Sequence, residues 1–390
     1  MSVSIQKLGR KLRLAVIGGG PDSFIGSIHR SAATMHEEFE VVAGVVSSNP
    51  ERSIQAAESM GLRGYGSPEA LFSAEAERED GADVIAIMTP NNSHCDLSVQ
   101  ALEHGFHVMC EKPLTMNVEE ADALVSKAKE AGKCYCVAYG YTGYPMVRQA
   151  RAMIEHGILG EIKMLQSQYI QGHLAELTPS EKDGTNWHMK PELAGPSLIL
   201  GDIATHSYHL LSYVSGMVPQ ALSADVTALV DGREAHDYCG IQLRYANQAR
   251  GQLFVTQAAA GGVHGLSFTI YGTKGGLEWN QEQPNELLVR PIDAPAYVLT
   301  KGGKGLLPEA ERVSHVAIGH PEGYREAFAN LYFDLAHHIV ALEQGESPDP
   351  LCLSYPSVEE GAEGMAFVYS SLESRDSDSQ WTSVRDHLQN

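Results

Sequence analysis

The triplet Glu111-Lys112-Pro113 and, further along the chain, Asp202-Ile203-Ala204-Thr205-His206 supply a lysine, an aspartate and a histidine that can handle protons. Both lie downstream of a glycine-rich opening suited to a dinucleotide. Removing a hydride from a carbinol also requires removal of the hydroxyl proton, so a proton relay beside a nicotinamide is the chemistry these types point to. A lysine near the positively charged nicotinamide ring has its pKa pushed down, which suits it to bond a substrate hydroxyl. Asp202 and His206 are four apart and share one face if Gly201 to Val214 is a helix. His206 can then serve as general base, with Asp202 orienting substrate or tuning the imidazole. His209 competes but projects away from the Asp202 face. A structural Asp–His pair or a metal site are the other readings of that spacing, and no third ligand stands at helpful spacing for a metal.

These side chains need elements that deliver them to one edge. Residues 13 to 140 alternate short β-branched runs with amphipathic stretches, which predicts a parallel sheet covered by helices. The expected strands are Arg13 to Ile17, Glu40 to Val46, Val84 to Met88, His107 to Cys110 and Cys134 to Ala138. The expected helices are Asn49 to Met60, Asn92 to His104 and Val118 to Ala131. The first strand runs into Gly18-Gly19-Gly20-Pro21-Asp22-Ser23-Phe24-Ile25-Gly26, with a helix expected from Ser27 to Met35. Glycines at such a corner let the backbone approach a pyrophosphate, whose charge the helix N-terminus favours. The second strand leads to Ser47-Ser48-Asn49-Pro50-Glu51-Arg52, with no carboxylate at Ser47 to meet a ribose 2′-hydroxyl. Arg52, a helical turn on, could accommodate a 2′-phosphate, which leans the cofactor to NADP without excluding NAD. An N-cap at Ser48 or Asn49 with a solvated Arg52 accounts for the same residues. Thr89-Pro90-Asn91-Asn92 and Lys112 both leave strands at the sheet's carboxyl edge, where ligands collect in such folds.

After a helix from about Tyr144 to His156 the texture changes. Ile162 to Ile170, Ala221 to Leu229, Cys239 to Tyr245, Gly251 to Gln257 and Leu266 to Tyr271 read as strands, the last four with few helices between them. Short connections favour antiparallel neighbours, so the second domain is expected to be α+β with an open sheet. Gly272 to Gly276 reads as a turn between two of its strands, and 322–343 and Ser357 to Leu372 as helices that return onto either domain. The boundaries expected are 1–143 for the dinucleotide-binding domain and 144–390 for a substrate-binding and oligomerisation domain.

The chain has 390 residues, enough for two cores without disulfides or metals. With 49 acidic against 28 basic side chains its net charge is -21, which opposes nucleic acid or an anionic membrane surface as partner. Cys95, Cys110, Cys134, Cys136, Cys239 and Cys352 lack paired spacing, which fits a reducing, cytoplasmic setting. The apolar run Leu14 to Ile17 is too short for a signal or membrane segment.

Six segments together resemble the Gfo/Idh/MocA family of sugar and inositol oxidoreductases: Gly18 to Gly26, Thr89-Pro90-Asn91, Glu111-Lys112-Pro113, Leu159-Gly160-Glu161-Ile162, Gly201 to His206, and Gly272-Thr273-Lys274-Gly275. The resemblance implies an α/β Rossmann domain plus an α+β domain with an open, mostly antiparallel sheet. It implies Lys112, Asp202 and His206 as the catalytic set in an NAD(P)-dependent sugar or polyol dehydrogenase. Cofactor contacts are expected from Gly18, Gly20, Phe24, Ile25, Gly26, Ser47, Ser48, Arg52, Thr89, Pro90, Asn91, His94, Glu111 and Lys112. Substrate contacts are expected from Lys112, Tyr141, Trp187, Asp202 and His206, with Trp187 in the insertion Gly172 to Gly195. The chain departs from the family in a glycine loop longer by three residues, in Ser47 for the common ribose-binding acid, and in Ala204 where glycine is frequent. The leading expectation is oxidation of a secondary hydroxyl of a sugar, glycoside or cyclitol. A glycosidase working through transient C3 oxidation and elimination shares its first step, and a cofactor-sensing protein without catalysis is the reading from another class. A homodimer or homotetramer is expected, with a small carbohydrate or cyclitol as substrate.

Overall fold

Val84–Met88 is apolar and buried at every position, the pattern of a parallel strand covered on both faces. It is β4 of a six-stranded, all-parallel sheet with β1 (Leu12–Gly18), β2 (Phe39–Val45), β3 (Arg63–Gly64), β5 (His107–Cys110) and β6 (Tyr135–Val137). The computed structural model describes residues 2–384. The strand order β3-β2-β1-β4-β5-β6 reverses direction between β1 and β4, so a crevice opens beyond their carboxyl ends, where Gly18 pairs with Met88. That register puts the glycine corner and Thr89 side by side. The helix Tyr324–Glu343 joins this unit: Phe328, Tyr332 and Leu335 pack in one core with Ile28, Ala32 and Phe39.

The first compact unit therefore comprises Met1–Thr115, Glu119–Gly143 and Tyr324–Ala362, and the second Met116–Val118, Tyr144–Gly323 and Glu363–Asn390. The amphipathic helix from Tyr324 buries its apolar stripe in the first unit, with Phe328, Tyr332 and Leu335 in that core.

The second unit is built on a nine-stranded sheet of order β14-β13-β12-β11-β7-β10-β9-β8-β15, in which only the β7–β10 pair is parallel. Its strands are β7 (Ile162–Gln171), β8 (Ala221–Thr227), β9 (Tyr238–Arg244), β10 (Arg250–Thr256), β11 (His264–Gly272), β12 (Gly275–Asn280), β13 (Glu286–Pro291), β14 (Tyr297–Thr300) and β15 (Thr382–Ser383). The expected turn is the β11–β12 hairpin connection. Alternation is plain in β9 and β10, where Ile241, Leu243, Leu253 and Val255 are buried and Gln242 and Gln252 are exposed. The buried face is covered by the helices Pro145–Glu155 and Thr205–Ser215. Among the described residues no helix is long and apolar enough to cross a membrane, and no group of three or more His, Cys, Asp or Glu could hold a metal ion.

Candidate active site

The glycine corner is tighter than its sequence spacing implies. Gly18 and Gly19 have φ of +86° and +63°, a region open to glycine at little steric cost. A Cβ on Gly20 would come 2.8 Å from the Val46 carbonyl oxygen, and one on Gly26 would overlap the Gly19 carbonyl. The helix expected from Ser27 begins at Phe24, because Ser23 caps it: its Oγ accepts from the Gly26 N–H at 3.1 Å. The three extra loop residues, Pro21, Asp22 and the cap Ser23, thus precede the helix, and Phe24, Ile25 and Gly26 form its first turn. Phe24 is 73% exposed there. Arg30, one turn beyond, donates from its guanidinium to the Gly19 carbonyl and holds the corner to the helix.

At the end of β2, Ser47 Oγ accepts from the Asn49 N–H at 3.2 Å, and Asn49 Oδ1 accepts from the Arg52 N–H at 2.9 Å. The expected cap at this helix, Pro50–Ser59, is therefore Asn49, while Ser48 and the Arg52 side chain are exposed. Beyond β4, Ser93 Oγ bonds Thr89 Oγ1 at 2.7 Å and the Pro90 carbonyl at 2.9 Å, closing a turn in which Asn91 is buried. His94, expected at the cofactor, has no exposed surface; its two ring nitrogens face the Pro113 and Thr89 carbonyls at 2.8 and 3.0 Å. A side chain so enclosed holds loops together and presents nothing to a ligand.

Lys112 follows β5, whose end is tied to β4 by the Glu111 N–H on the Ile87 carbonyl at 3.0 Å. The Lys112–Pro113 peptide is cis. Glu111 Oε2 accepts from the Lys112 N–H at 3.2 Å, and Oε1 lies 3.1 Å from His29 Nε2. His29 Nδ1 in turn lies 2.7 Å from the Tyr332 hydroxyl. Glu111 is thus a link in a buried network that reaches the glycine-corner helix through His29 and the helix Tyr324–Glu343 through Tyr332. Sequence reading missed His29 and Tyr332; neither lies near Glu111 in the chain, so no local pattern could have found them. Tyr141 sits in the turn Gly140–Gly143, its ring 5.8 Å from that of Tyr324, and is only 5% exposed, which leaves a substrate little of its surface.

In the second unit the expected helix from Gly201 opens differently: Leu200–Ala204 is a π-helical turn, and the regular helix is Thr205–Ser215. Such turns widen the helix locally and recur at functional sites. Asp202 leaves this turn half-buried, and its Oδ2 accepts from Gln257 Nε2 at 2.7 Å. Gln257, directly after β10, is 1% exposed. His206, also half-buried, meets the edge of the buried Tyr169 ring at 6.3 Å, and His264 meets the same ring at 5.6 Å. Burial pushes the His264 pKa down, His173 lowers it further, and Glu282 and Asp202 oppose both. His209 turns into the core against Tyr213, as its angular offset required.

Trp187 begins a short turn, Trp187–Met189, capped by Asn186 and stacked on His188 at 3.8 Å. The insertion carrying it is anchored: Thr178 and Glu181 form a reciprocal capping box, and the buried Arg233 bonds Glu181, Asp237 and the Leu174 and Glu176 carbonyls. Arg233 is a third residue that sequence reading missed. Two carboxylates hold its pKa above the ordinary arginine value although burial lowers it.

Residues 12–139 match the model of the oxidoreductase family with an NAD-binding Rossmann fold, and residues 147–278 that of the GFO/IDH/MocA C-terminal domain. The uncharacterized oxidoreductase YfiI of Bacillus subtilis is 32% identical over 389 residues, 97% of this chain and 98% of that one. The levoglucosan dehydrogenase of Pseudarthrobacter phenanthrenivorans is 29% identical over 309 residues, 72% of this chain and 76% of that one. An inositol dehydrogenase homolog from Azotobacter vinelandii, solved with NADH and myo-inositol, is 35% identical, with a TM-score of 0.87 over 96% of this chain and 98% of that chain. With both domain models matched in order and a relative aligned from end to end, this chain belongs to the Gfo/Idh/MocA family of oxidoreductases.

Proposed function

We propose that the protein oxidises a secondary hydroxyl of a sugar, glycoside or cyclitol by hydride transfer to NAD(P), with Lys112, Asp202 and His206 handling the hydroxyl proton. The observation that carries this reading is a glycine corner in the first unit too close-packed for any side chain, and the second unit supports it with a π-helical turn that carries Asp202. The tightness at Gly18, Gly20 and Gly26 fits a dinucleotide, because backbone amides can then reach a pyrophosphate at the first turn of the helix. When bound, the nicotinamide supplies the hydride acceptor. Phe24, Ile25, Ser47, Ser48, Thr89, Pro90, Asn91 and Glu111 complete the expected cofactor set on the first unit. Lys112 donates to the substrate oxygen, His206 accepts its proton, and Asp202, fixed by Gln257, orients the neighbouring hydroxyl. Trp187 offers a flat face to a sugar ring. The six cysteines, which lack paired spacing, suit a reducing, cytoplasmic setting.

A spectrophotometric screen of sugars, glycosides and inositols against both nicotinamides tests the reading. Levoglucosan and myo-inositol head the panel, because relatives bear those names or bound that molecule. Stoichiometric NAD(P)H formation is expected, and Lys112→Ala should lower turnover by at least about a hundredfold, the scale of general acid–base contributions, while NADH binding stays within a few-fold. Aglycone release with no net change in cofactor absorbance would replace the dehydrogenase by the glycosidase. Undiminished activity in Lys112→Ala would remove the proton role of that residue.

The same reading leans to NADP. Ser47 puts no carboxylate where a 2′-phosphate would sit, and the exposed Arg52 lies a turn away. Relatives solved with NAD+ or NADH weigh on the other side. Titrating the apoprotein with both nucleotides should give NADP an affinity at least equal to that of NAD, and a tenfold preference for NAD would overturn the lean.

A further inference from the structure

His94 opens the helix His94–Glu103 and is wholly enclosed. Both of its ring nitrogens sit at hydrogen-bond distance from backbone carbonyls, Nδ1 from Pro113 at 2.8 Å and Nε2 from Thr89 at 3.0 Å. A carbonyl oxygen only accepts, so each contact is a hydrogen bond only if its nitrogen carries a proton. A neutral imidazole has one N–H. Either tautomer would press a bare nitrogen lone pair against a carbonyl oxygen where water cannot intervene. Only the doubly protonated ring satisfies both acceptors, and charge-assisted bonds of this kind are about twice as strong as neutral ones.

The two carbonyls belong to the segments that leave β4 and β5 at the carboxyl edge of the sheet, and Pro113 is the residue directly after Lys112. We propose that His94 is a buried imidazolium that ties the Thr89 carbonyl to the Pro113 carbonyl and so positions Lys112. It is a positioning residue, since it is sealed from any ligand. The proposal rests on the reading of Lys112 as a proton handler, but its charge state is testable without that reading.

The surroundings agree with a retained proton. Burial pushes the imidazole down, while the charge and hydrogen bond of the Cys110 side chain on β5 and the two carbonyls push it up, to about 9. The other ionisable groups here are Cys95 on the same helix and Tyr135 on β6; burial pushes both up and Cys110 raises them further, and the Tyr135 hydroxyl is occupied by Ser98 Oγ at 2.8 Å.

The test is the ring-nitrogen spectrum of the full chain labelled with 15N-histidine at pH 7.5, about one unit above the ordinary histidine pKa. One histidine should show two protonated ring nitrogens with slowly exchanging protons, and that signal should vanish in His94→Gln. If His94→Gln does not fold, cross-peaks from those protons to Thr89 and Pro113 in the unsubstituted chain assign the signal. A His94 ring with one bare nitrogen at this pH overturns the proposal. The positioning half is read by hydrogen exchange of the peptide spanning 108–118 between pH 7.5 and 10. Exchange should accelerate at least tenfold beyond the intrinsic base-catalysed rise once the imidazolium titrates; acceleration no greater than the intrinsic rise overturns that half. Loss of the Lys112 reading would appear separately, as a Lys112→Ala enzyme of full activity with the same His94 spectrum.

Discussion

Asp202 is a carboxylate that a buried amide helps to orient. Gln257 Nε2 reaches its Oδ2 at 2.7 Å, while the Gln257 backbone is fixed at both ends, its N–H on the Asp237 carbonyl and its carbonyl on the Leu174 N–H. A hydrogen bond to a charged group contributes about 1.5–3 kcal/mol, and tenfold in rate corresponds to about 1.4 kcal/mol. Gln257→Leu keeps most of the volume and removes the donor, so kcat/KM should fall roughly ten- to a hundredfold with the thermal midpoint lowered only modestly. Steady-state kinetics on the best substrate from the screen, beside a melting curve, checks this. Unchanged kcat/KM would mean that Asp202 needs no such support. The contrast with Lys112 and His206 explains what a sequence discloses at this scale. Those residues stand in compact motifs, whereas Gln257, His29 and Tyr332 work through contacts made by distant parts of the chain, and a glutamine after a strand has no signature of its own.

At the scale of elements, hydrophobic periodicity located most of the Rossmann sheet because its central strands are apolar without interruption. Val84–Met88 and His107–Cys110 fall where their composition puts them, and the helix Val118–Ala131 has the expected ends. Short or weakly patterned pieces were illegible. β3 is two residues long, and β14, at the sheet edge, has no buried position to enforce alternation. The glycine corner shows how one capping residue moves a boundary: Ser23 starts the helix at Phe24, and Gly26 then packs against Gly19. Because a Cβ at Gly26 would overlap the Gly19 carbonyl, Gly26→Val must push the helix off the strand. Overpacking of this kind costs about 1–3 kcal/mol, and on the proposed reading the displaced helix N-terminus no longer meets the pyrophosphate. NADH affinity measured by fluorescence titration should drop at least tenfold while far-ultraviolet circular dichroism stays the same; retained affinity would show that the nucleotide binds elsewhere. The π-helical turn at Leu200–Ala204 was equally hidden, since Asp202 and His206 fit a regular helix just as well on paper.

For the molecule as a whole, the second unit's sheet covers one face and leaves the other bare. Strand register sets Met164 beside Tyr271, Gln168 beside Phe254, and Leu288 between Glu278 and Val298, so all of these share the uncovered face. Met164, Phe254, Tyr271 and Val298 are exposed on it, among the glutamines Gln166, Gln242 and Gln252. Asp225, Glu278, Glu286, Arg244, Arg250 and Arg290 lie on the same face, with Glu278 paired to Arg290 at 2.7 Å, so apolar side chains sit among polar and charged ones as in the core and rim of an interface. A second copy of this chain is the occupant that chemistry favours: with a net charge of -21 each copy repels the other broadly, whereas this face carries acidic and basic side chains together and lacks the acidic surplus of the chain. A stable dimer needs about 800 Å² from each partner, which a nine-stranded sheet can supply. Light scattering after size exclusion should therefore give a mass of two or four times the 42.2 kDa chain. Phe254→Asp with Tyr271→Asp introduces two carboxylates per copy at the middle of that face, and the mass should fall to that of one chain with nucleotide binding intact. A native protein of single-chain mass, or a doubly substituted one that stays assembled, would remove this face from the assembly.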